Sequence, residues 1–149
     1  GGEELMAVFS RDVSVHFSDT DPAGILFYPR YFEMTSALIE DWFAEELDHP
    51  FDAIHQGMAH GVPTLSLDVS FSAASRIADV LRLSLSVARL GKSSFTLNIK
   101  AACGEEERFK MRQVLVYAAL GDELKPKPLP ADLRARMEPF LMTESAKDS

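Results

Sequence analysis

The sequence has little of what disulfide-bonded, membrane-spanning or nucleic-acid-binding proteins need. Its 149 residues include one cysteine, Cys103, which cannot form an internal disulfide and fits a reducing compartment. No apolar run approaches the roughly 18 residues that span a bilayer, and no signal-peptide pattern opens the chain. The charge balance of 15 basic against 23 acidic residues, without a basic cluster, disfavours nucleic acid and anionic membrane surfaces. We therefore expect a cytoplasmic protein, with no nucleic acid and no membrane insertion.

Two common kinds of catalytic site are also absent from the sequence. The four histidines lack the His-Glu-x-x-His spacing of a metal site, and no Gly-x-Ser-x-Gly pattern surrounds a serine nucleophile. The sequence therefore implies neither a metal nor a redox cofactor. Among the histidines we single out His60, because it precedes Gly61-Val62-Pro63, where the chain is expected to return toward the sheet.

Alternation of apolar and polar residues predicts an antiparallel sheet that is covered on one face. Five segments show this alternation, although the last is less regular: residues 7–17, 65–71, 81–87, 95–101 and 111–119. Residues 91–93 and 104–107 have the composition of hairpin loops, which join neighbouring strands.

Residues 29–47 differ from the strand segments, because their wide apolar arc predicts one long and largely buried helix. One helix after the first strand and four strands after the helix indicate an α+β layer, with the helix lying on the sheet. Three prolines between residues 126 and 130 end the sheet region, and residues 131–137 are expected to form a short surface helix. We assign residues 1–142 to a single domain and expect residues 143–149 to be a disordered tail.

Residues 17–31 form the most informative stretch, Phe-Ser-Asp-Thr-Asp-Pro-Ala-Gly-Ile-Leu-Phe-Tyr-Pro-Arg-Tyr. A strand runs into a tight turn that contains two carboxylates, Asp19 and Asp21, and then Gly24. Tyr28 and Pro29 follow, and they fit the first turn of the long helix, where proline is favoured. A carboxylate would thus face the free N–H groups and the positive dipole end of a helix. Acyl transfer uses this arrangement, in which one group attacks or activates water and the N–H groups hold the oxyanion.

Within this stretch, Asp-x-Asp-Pro-Ala-Gly-Ile-x-Phe-Tyr-Pro-x-Tyr closely resembles the signature of the 4-hydroxybenzoyl-CoA thioesterase family. Weaker similarity continues at Gly61-Val62-Pro63, Ser70-Phe71, Asp79-Val80-Leu81 and Ser94-Phe95, so the resemblance spans about residues 8–118. It implies the hotdog fold, an α+β fold in which a five-stranded antiparallel sheet wraps around one long central helix. It also implies a homodimer or homotetramer, and the open edges of a single sheet favour such pairing.

The resemblance implies that Asp21 is the nucleophile or general base and that the Tyr28 backbone N–H polarises the thioester carbonyl. Gly24 would let the loop approach the substrate without a Cβ in the way, although a plain turn also explains this glycine. Taken alone, an aspartate before proline is a common turn former, and Asp19 is interpreted as a turn cap. A related branch of hotdog thioesterases takes its carboxylate from the long helix, where two glutamates are the alternatives: Glu33 and Glu40.

Substrate-binding residues are predicted on both sides of the motif. The family places basic residues against the phosphates of coenzyme A, at the hairpin that here contains Arg89 and Lys92. A leucine–glycine pair interrupts this basic cluster, so acyl carriers other than coenzyme A stay alternatives. Arg76 is a further candidate, and solvated surface charge is the alternative interpretation of all three. Phe27 and Phe32 are candidates for the lining of an acyl pocket, whose specificity the sequence leaves open.

The sequence therefore predicts a cytoplasmic acyl-CoA thioesterase, with coenzyme A present only as part of the substrate. It leaves open whether Asp21 attacks the carbonyl or activates water. A hydratase or dehydratase acting on acyl thioesters is one alternative, but such enzymes typically rely on a histidine paired with an acid, and the motif has no adjacent histidine. A non-catalytic module that binds acyl thioesters is the other, and it would keep the pocket without needing Asp21.

Overall fold

The computed structural model describes residues 7–58 and 60–142 of the chain. The strands in this part are β1 (Phe9–Ser14), β2 (His60–Gly61), β3 (Thr64–Phe71), β4 (Val80–Leu90), β5 (Ser94–Cys103), β6 (Glu106–Val116), β7 (Ala118–Ala119) and β8 (Lys125–Pro126). Five of them form an antiparallel sheet in the order β1-β4-β5-β6-β3, and β2, β7 and β8 form a small second sheet. The helices are α1 (Pro29–Glu45), α2 (Phe51–Met58) and α3 (Ala131–Met137), with short 3-10 turns at Phe17–Asp19 and Glu138–Phe140. The predicted α+β class and five-stranded antiparallel sheet are thus confirmed.

Helix α1 begins where the motif predicts. Pro29 takes its first position, where the missing N–H of proline costs no intrahelical hydrogen bond. The buried residues recur at intervals of one, three or four and form one stripe along the helix: Tyr31, Thr35, Leu38, Ile39, Trp42 and Phe43. Their apolar members share one core cluster with the inner face of the sheet. The long helix predicted for residues 29–47 is therefore present over Pro29–Glu45.

The inner face of the sheet supplies the other half of the core. Leu81, Leu83 and Leu85 of β4 have no exposed surface and alternate with outward-facing residues. The outer face is polar, and on it Arg82 donates to Asp12 through Nε–Oδ1 at 2.9 Å and Nη2–Oδ2 at 3.2 Å. The period-two pattern in the sequence thus corresponds to a sheet with one covered face.

Strand β3, at one edge of the sheet, departs from this burial pattern. Val69 lies opposite the buried Met111, and residues directly opposite in an antiparallel pair share a face. The apolar row of β3 therefore points to the helix side, yet Leu65, Leu67 and Phe71 are 58%, 49% and 51% exposed. The chain leaves an apolar row uncovered along an open strand edge.

The sequence analysis placed the start of the last main strand too late and missed one helix. The last main strand was predicted over residues 111–119, but β6 begins at Glu106, because Cys103 and Glu106 pair across a turn in which Gly104 has a φ of 61°. Helix α2 was not predicted. Helix α3 was predicted at its observed position as a surface helix, but it buries Leu133 and Met137 completely. The predicted tail, residues 143–149, lies outside the described residues, and the single domain over residues 1–142 stays a prediction.

Between β3 and β4 the chain must pass the end of the sheet, because β5 and β6 lie between these two strands. We call residues 72–79 the crossover. Its Ala78 has a φ of 75°, a left-handed conformation that is uncommon for alanine. Two hydrogen bonds hold this position beside the end of β1, from Ala78 N–H to Val15 O and from Val15 N–H to Asp79 O, each 2.9 Å long. The crossover thereby comes to lie next to the motif.

Candidate active site

A tight loop holds Asp21 directly before helix α1. This segment, residues 20–26, is called the Asp21 loop, and its two ends, Thr20 and Leu26, form a β-bridge. Inside it, the Asp21 N–H donates to Ile25 O at 2.9 Å and the Gly24 N–H donates to Asp21 O at 2.8 Å. Gly24 has a φ of 82°, and a Cβ added there would meet nothing within 4 Å of this chain. The turn conformation, rather than crowding within this chain, therefore accounts for the glycine.

The Asp21 carboxylate has one occupied oxygen and one free oxygen. Oδ1 accepts hydrogen bonds from the N–H groups of Ala23, at 2.9 Å, and Ile25, at 3.4 Å. Among the described residues, no donor or cation is bound to Oδ2. The two hydrogen bonds to Oδ1 fix the direction of the carboxylate, which leaves Oδ2 available to a reactant.

Asp19 has a structural use in the same segment. Its Oδ2 accepts from the His16 N–H at 2.9 Å, and its backbone O accepts from the Phe27 N–H at 2.9 Å. Its other oxygen lies 4.0 Å from Arg30 Nε, and His16 Nδ1 lies 3.7 Å from Oδ2. These contacts fit the turn cap that the sequence suggests, and they also put a histidine beside an acid near the Asp21 loop.

Helix α1 leaves one backbone donor open at its start. Tyr28 is the N-cap, Pro29 has no N–H, and the N–H groups of Arg30 and Tyr31 donate to Phe27 O and Tyr28 O. The Tyr28 N–H donates to no acceptor among the described residues. An open N–H at the positive end of a 17-residue helix is a suitable donor to a developing oxyanion.

Aromatic rings surround this donor. Tyr28 is 60% exposed, and its ring meets those of Phe27 and Phe71 edge-on, with ring centroids 5.9 and 6.1 Å apart. Phe27 is about half exposed, so it is available to a ligand. Phe32 is only partly buried, and it packs on Phe109 of the core at 6.1 Å. An aromatic surface is thus present at the start of helix α1, which follows the Asp21 loop in the chain.

The crossover supports the Asp21 loop from behind. The Leu26 N–H donates to Ser75 O at 2.7 Å, and Ile25 forms a β-bridge with Arg76. Ser75 Oγ in turn lies 2.8 Å from the Tyr31 hydroxyl of helix α1. The sequence analysis assigned no role to Tyr31, the last residue of the motif, or to Ser75, because no local pattern connects residues that are 44 positions apart.

Arg108 of β6 holds the crossover in place. The sequence analysis did not identify this residue either. Its Nη1 donates to Ala74 O at 3.0 Å, Ser75 Oγ at 3.1 Å and Asp79 Oδ2 at 2.8 Å. Its Nε forms an ion pair with Glu106 Oε1 at 2.6 Å. The hydrogen bond from Arg108, together with one from a backbone N–H, lowers the pKa of Asp79 below its usual range. Asp79 thus stays ionised near neutral pH.

The predicted basic residues fall at opposite ends of the sheet within one chain. Arg76 is exposed and lies beside the Asp21 loop. Arg89 and Lys92 are exposed at the far end of β4, about 30 Å away along the 11-residue strand. Of the three predicted basic residues, a single chain therefore places only Arg76 beside the Asp21 loop.

The two glutamates of helix α1 are both exposed. Glu33 accepts from Arg30 Nη1 at 2.9 Å one turn along the helix, and Glu40 lies two turns further on. His60 stacks on Tyr117 with centroids 5.1 Å apart, in the small second sheet. None of these three residues lies in the Asp21 loop.

Metal-binding clusters and membrane-spanning helices are both absent from the described residues. No group of three or more His, Cys, Asp or Glu side chains in residues 7–58 and 60–142 is placed to hold a metal ion. Within the same ranges, every helix is too short or too polar to cross a membrane.

Residues 15–137 match the thioesterase-like superfamily, a range that includes the whole Asp21 loop, helix α1 and the main sheet from β3 to β6. The chain belongs to this superfamily. The family recognised from the motif is thus confirmed, and so is the expectation of a thioesterase at the level of the family.

Individual relatives agree with this assignment. The alignment with 4-hydroxybenzoyl-CoA thioesterase of Pseudomonas sp. has 26% identity over 126 residues, and it covers 79% of this chain and 89% of that protein. The alignment with 1,4-dihydroxy-2-naphthoyl-CoA hydrolase of Synechocystis sp. has 22% identity over 126 residues, and it covers 84% of this chain and 91% of that protein. An X-ray structure of an Asp-to-Asn variant of 4-hydroxybenzoyl-CoA thioesterase, complexed with 4-hydroxybenzoyl-CoA, matches with a TM-score of 0.78. That match has 21% identity and covers 87% of this chain and 98% of that one. The hotdog fold predicted for this chain is therefore confirmed.

Proposed function

We propose that this protein hydrolyses an acyl-CoA thioester to the free acid and coenzyme A. One observation carries the proposal: Asp21, whose Oδ2 has no donor among the described residues, lies in the loop directly before helix α1. At the start of that helix, the Tyr28 N–H donates to no acceptor among the same residues. Hydrolysis of a thioester needs these two groups, one to drive attack and one to stabilise the oxyanion. The names of the two relatives, both hydrolases of aryl-CoA thioesters, support the same reaction class.

Two versions of the first step fit this geometry. In one, Asp21 Oδ2 attacks the carbonyl carbon, the C–S bond breaks, and the resulting acyl anhydride is hydrolysed by water. In the other, Oδ2 takes a proton from a water molecule, which attacks the carbonyl directly. In both, the thiolate of coenzyme A leaves and is protonated, and the Tyr28 N–H holds the oxyanion. A single turnover in ¹⁸O-water separates them when water attacks the anhydride at the aspartyl carbon, since only that route leaves an unlabelled product and a labelled aspartate.

Substrate recognition is proposed in two parts. The acyl group would contact the aromatic surface formed by Phe27, Tyr28 and Phe71, with Phe32 behind it. The phosphates of coenzyme A would contact Arg76 at the same end of the sheet, and Arg89 and Lys92 would contribute only from a second copy of the chain. The reaction needs no metal or redox cofactor in this scheme, since coenzyme A enters as part of the substrate. An acyl carrier protein is the alternative carrier, and a panel of both carriers tests this choice.

We also propose that the chain acts as a homodimer or a homotetramer. Strand β3 has an open edge with a half-exposed apolar row that includes Leu65 and Leu67, and such edges invite pairing with another strand. Pairing of two β3 strands would extend the sheet across both copies. A cytoplasmic location is proposed as well, because one cysteine among 149 residues fits a reducing compartment.

A hydratase or dehydratase is the second candidate, because His16 and Asp19 form the histidine–acid pair that such a reaction uses. The His16 side chain is 76% exposed, however, and its partner already accepts a backbone hydrogen bond. Turnover of an acyl-CoA panel with His16→Ala and Asp21→Asn variants tests both functions. Hydrolysis that depends on Asp21 and not on His16 supports the thioesterase. Water addition to an enoyl-CoA that depends on His16 would replace it, and binding without any turnover would indicate a non-catalytic module.

A further inference from the structure

Arg108 is the most deeply engaged charged residue next to the site. Its side chain is only 11% exposed, and one nitrogen, Nη1, donates to three acceptors of the crossover: Ala74 O, Ser75 Oγ and Asp79 Oδ2. An arginine removed from water to this extent needs good partners, because the loss of hydration is costly. The guanidinium has three such partners at Nη1, and all of them belong to the segment that supports the Asp21 loop. Its Nε lies close to Glu106 Oε1 but makes no hydrogen bond within the described residues.

Ser75 connects Arg108 to the Asp21 loop and to the start of helix α1. Its carbonyl oxygen accepts from the Leu26 N–H at 2.7 Å, which fixes the last residue of the Asp21 loop. Its Oγ lies 2.8 Å from the Tyr31 hydroxyl, which fixes the first turn of helix α1 three residues after Tyr28. Burial raises the pKa of Tyr31 above its usual value, so the hydroxyl keeps its proton. One serine thus contacts the loop with the carboxylate and the helix with the open N–H.

The crossover would not hold this position by itself. Ala78 adopts a left-handed conformation, which costs a non-glycine residue on the order of 1 kcal/mol and persists only when the surroundings enforce it. Asp79 beside it is bound by Arg108 Nη1 and by the Arg76 N–H, the latter at 2.9 Å. Arg108 therefore acts on both sides of the strained residue, at Ser75 and at Asp79.

From these contacts we infer that Arg108 is a positioning residue for the reaction. It holds Ser75, and through Ser75 it sets the distance between the Asp21 carboxylate and the Tyr28 N–H. This inference rests on the proposed function for its catalytic consequence, but the mechanical connection from Arg108 to the Asp21 loop stands without it. A misplacement of about 1 Å between reacting groups can cost on the order of 100-fold in rate, so a modest shift of Ser75 is sufficient.

Kinetics test the catalytic consequence with Arg108→Met, which keeps the bulk of the stem and removes every hydrogen bond. We expect kcat to fall by about 10- to 100-fold, because alignment matters in the transition state. KM should change little for a pantetheine thioester, which lacks the phosphates that Arg76 of the crossover would contact. Arg82→Met is the matched control: it also breaks an arginine–aspartate pair on the sheet, but it does not contact the crossover, and it should leave kcat unchanged. Ser75→Ala, which keeps the Arg108–Asp79 pair, should lower kcat as well. Methylguanidinium should partly restore kcat in Arg108→Ala and have no effect on the Arg82 variant.

Hydrogen exchange tests the connection without any activity. The Leu26 N–H, bonded to Ser75 O, should exchange faster in Arg108→Met and in Ser75→Ala than in the wild type, and no faster in Arg82→Met. Unchanged exchange at Leu26 in folded Arg108 and Ser75 variants would overturn the inference, as would unchanged kcat in both. If exchange responds as expected but the wild type hydrolyses no acyl thioester, the proposed function fails while the positioning contact stands.

Discussion

The hydroxyl of Tyr31 lies 2.8 Å from Oγ of Ser75, although 44 residues separate them in the sequence. This contact joins the first turn of helix α1 to the crossover, and the same serine binds the Asp21 loop through Leu26. The carboxylate and the open helix N–H therefore have a common support. The geometry that we assign to catalysis depends on residues outside the recognisable motif.

Assembly can be tested with a charge on β3. Leu67→Lys places a cation in the half-exposed apolar row, where pairing of two copies would bury it, so we expect it to shift the dimer to the monomer. Asp68→Lys is the matched control, because this residue lies on the other face of the same strand. Light scattering at micromolar concentration measures the result. A wild type that is monomeric and active would remove the proposed assembly.

Gly24 should be intolerant of a side chain because of its backbone conformation. Gly24→Ala at a φ of 82° is expected to destabilise the fold by roughly 1–2 kcal/mol, although free space surrounds the position. Gly121→Ala provides the comparison, since that glycine is also uncrowded but no positive φ applies to it. There we expect no loss, or a gain of about 0.4–1 kcal/mol. Denaturant unfolding of the two variants measures the difference, and equal effects would contradict the argument.

Stability should depend on Asp79 in acid. Hydrogen bonds from Arg108 and the Arg76 N–H lower the pKa of Asp79 in the folded protein relative to the unfolded chain. The stabilisation is therefore present above the ordinary aspartate pKa and is lost as the pH falls through the lower, folded value. In Asp79→Asn, the free energy of unfolding should start lower at pH 6 and decline less steeply below about pH 4 than in the wild type. Parallel curves for the two proteins would show that Asp79 contributes no such linkage.

Recognition of the coenzyme should be separable from chemistry. Arg76→Ala is expected to raise KM for acyl-CoA with little change in kcat, because a phosphate contact is equal in the ground and transition states. Added salt should act in the same direction, since exposed charge pairs are screened. A pantetheine thioester, which lacks the nucleotide, should be indifferent to the substitution. Lys100→Ala, an exposed residue in the middle of β5, serves as the control. A normal KM in the triple variant of Arg76, Arg89 and Lys92 would make these residues solvated surface.

The sequence predicted what is encoded locally. The Asp21 loop and the start of helix α1 follow from contiguous residues, because the turn glycine, the N1 proline and the apolar stripe each act within a few positions. The hydrogen bonds of Arg108 to the crossover were not predictable, since its partners Ser75 and Asp79 are 33 and 29 residues away and come together only in the folded sheet. The exposure of Leu65 and Leu67 also escaped prediction, because alternation reports which side chains share a face and not whether another element covers that face.

The central claim is that the Asp21 carboxylate drives thioester hydrolysis, and steady-state hydrolysis by Asp21→Asn tests it most directly. The amide keeps the size and the Oδ1 acceptor but removes the charge that attack or base action requires. Glu33→Gln and Glu40→Gln are the matched controls, as exposed carboxylates of helix α1. We expect kcat of the folded Asp21→Asn protein to fall by about 100-fold or more, with both controls near the wild type. Wild-type turnover in a folded Asp21→Asn protein, with a loss in a glutamate variant instead, would contradict the account and move the chemistry to the helix.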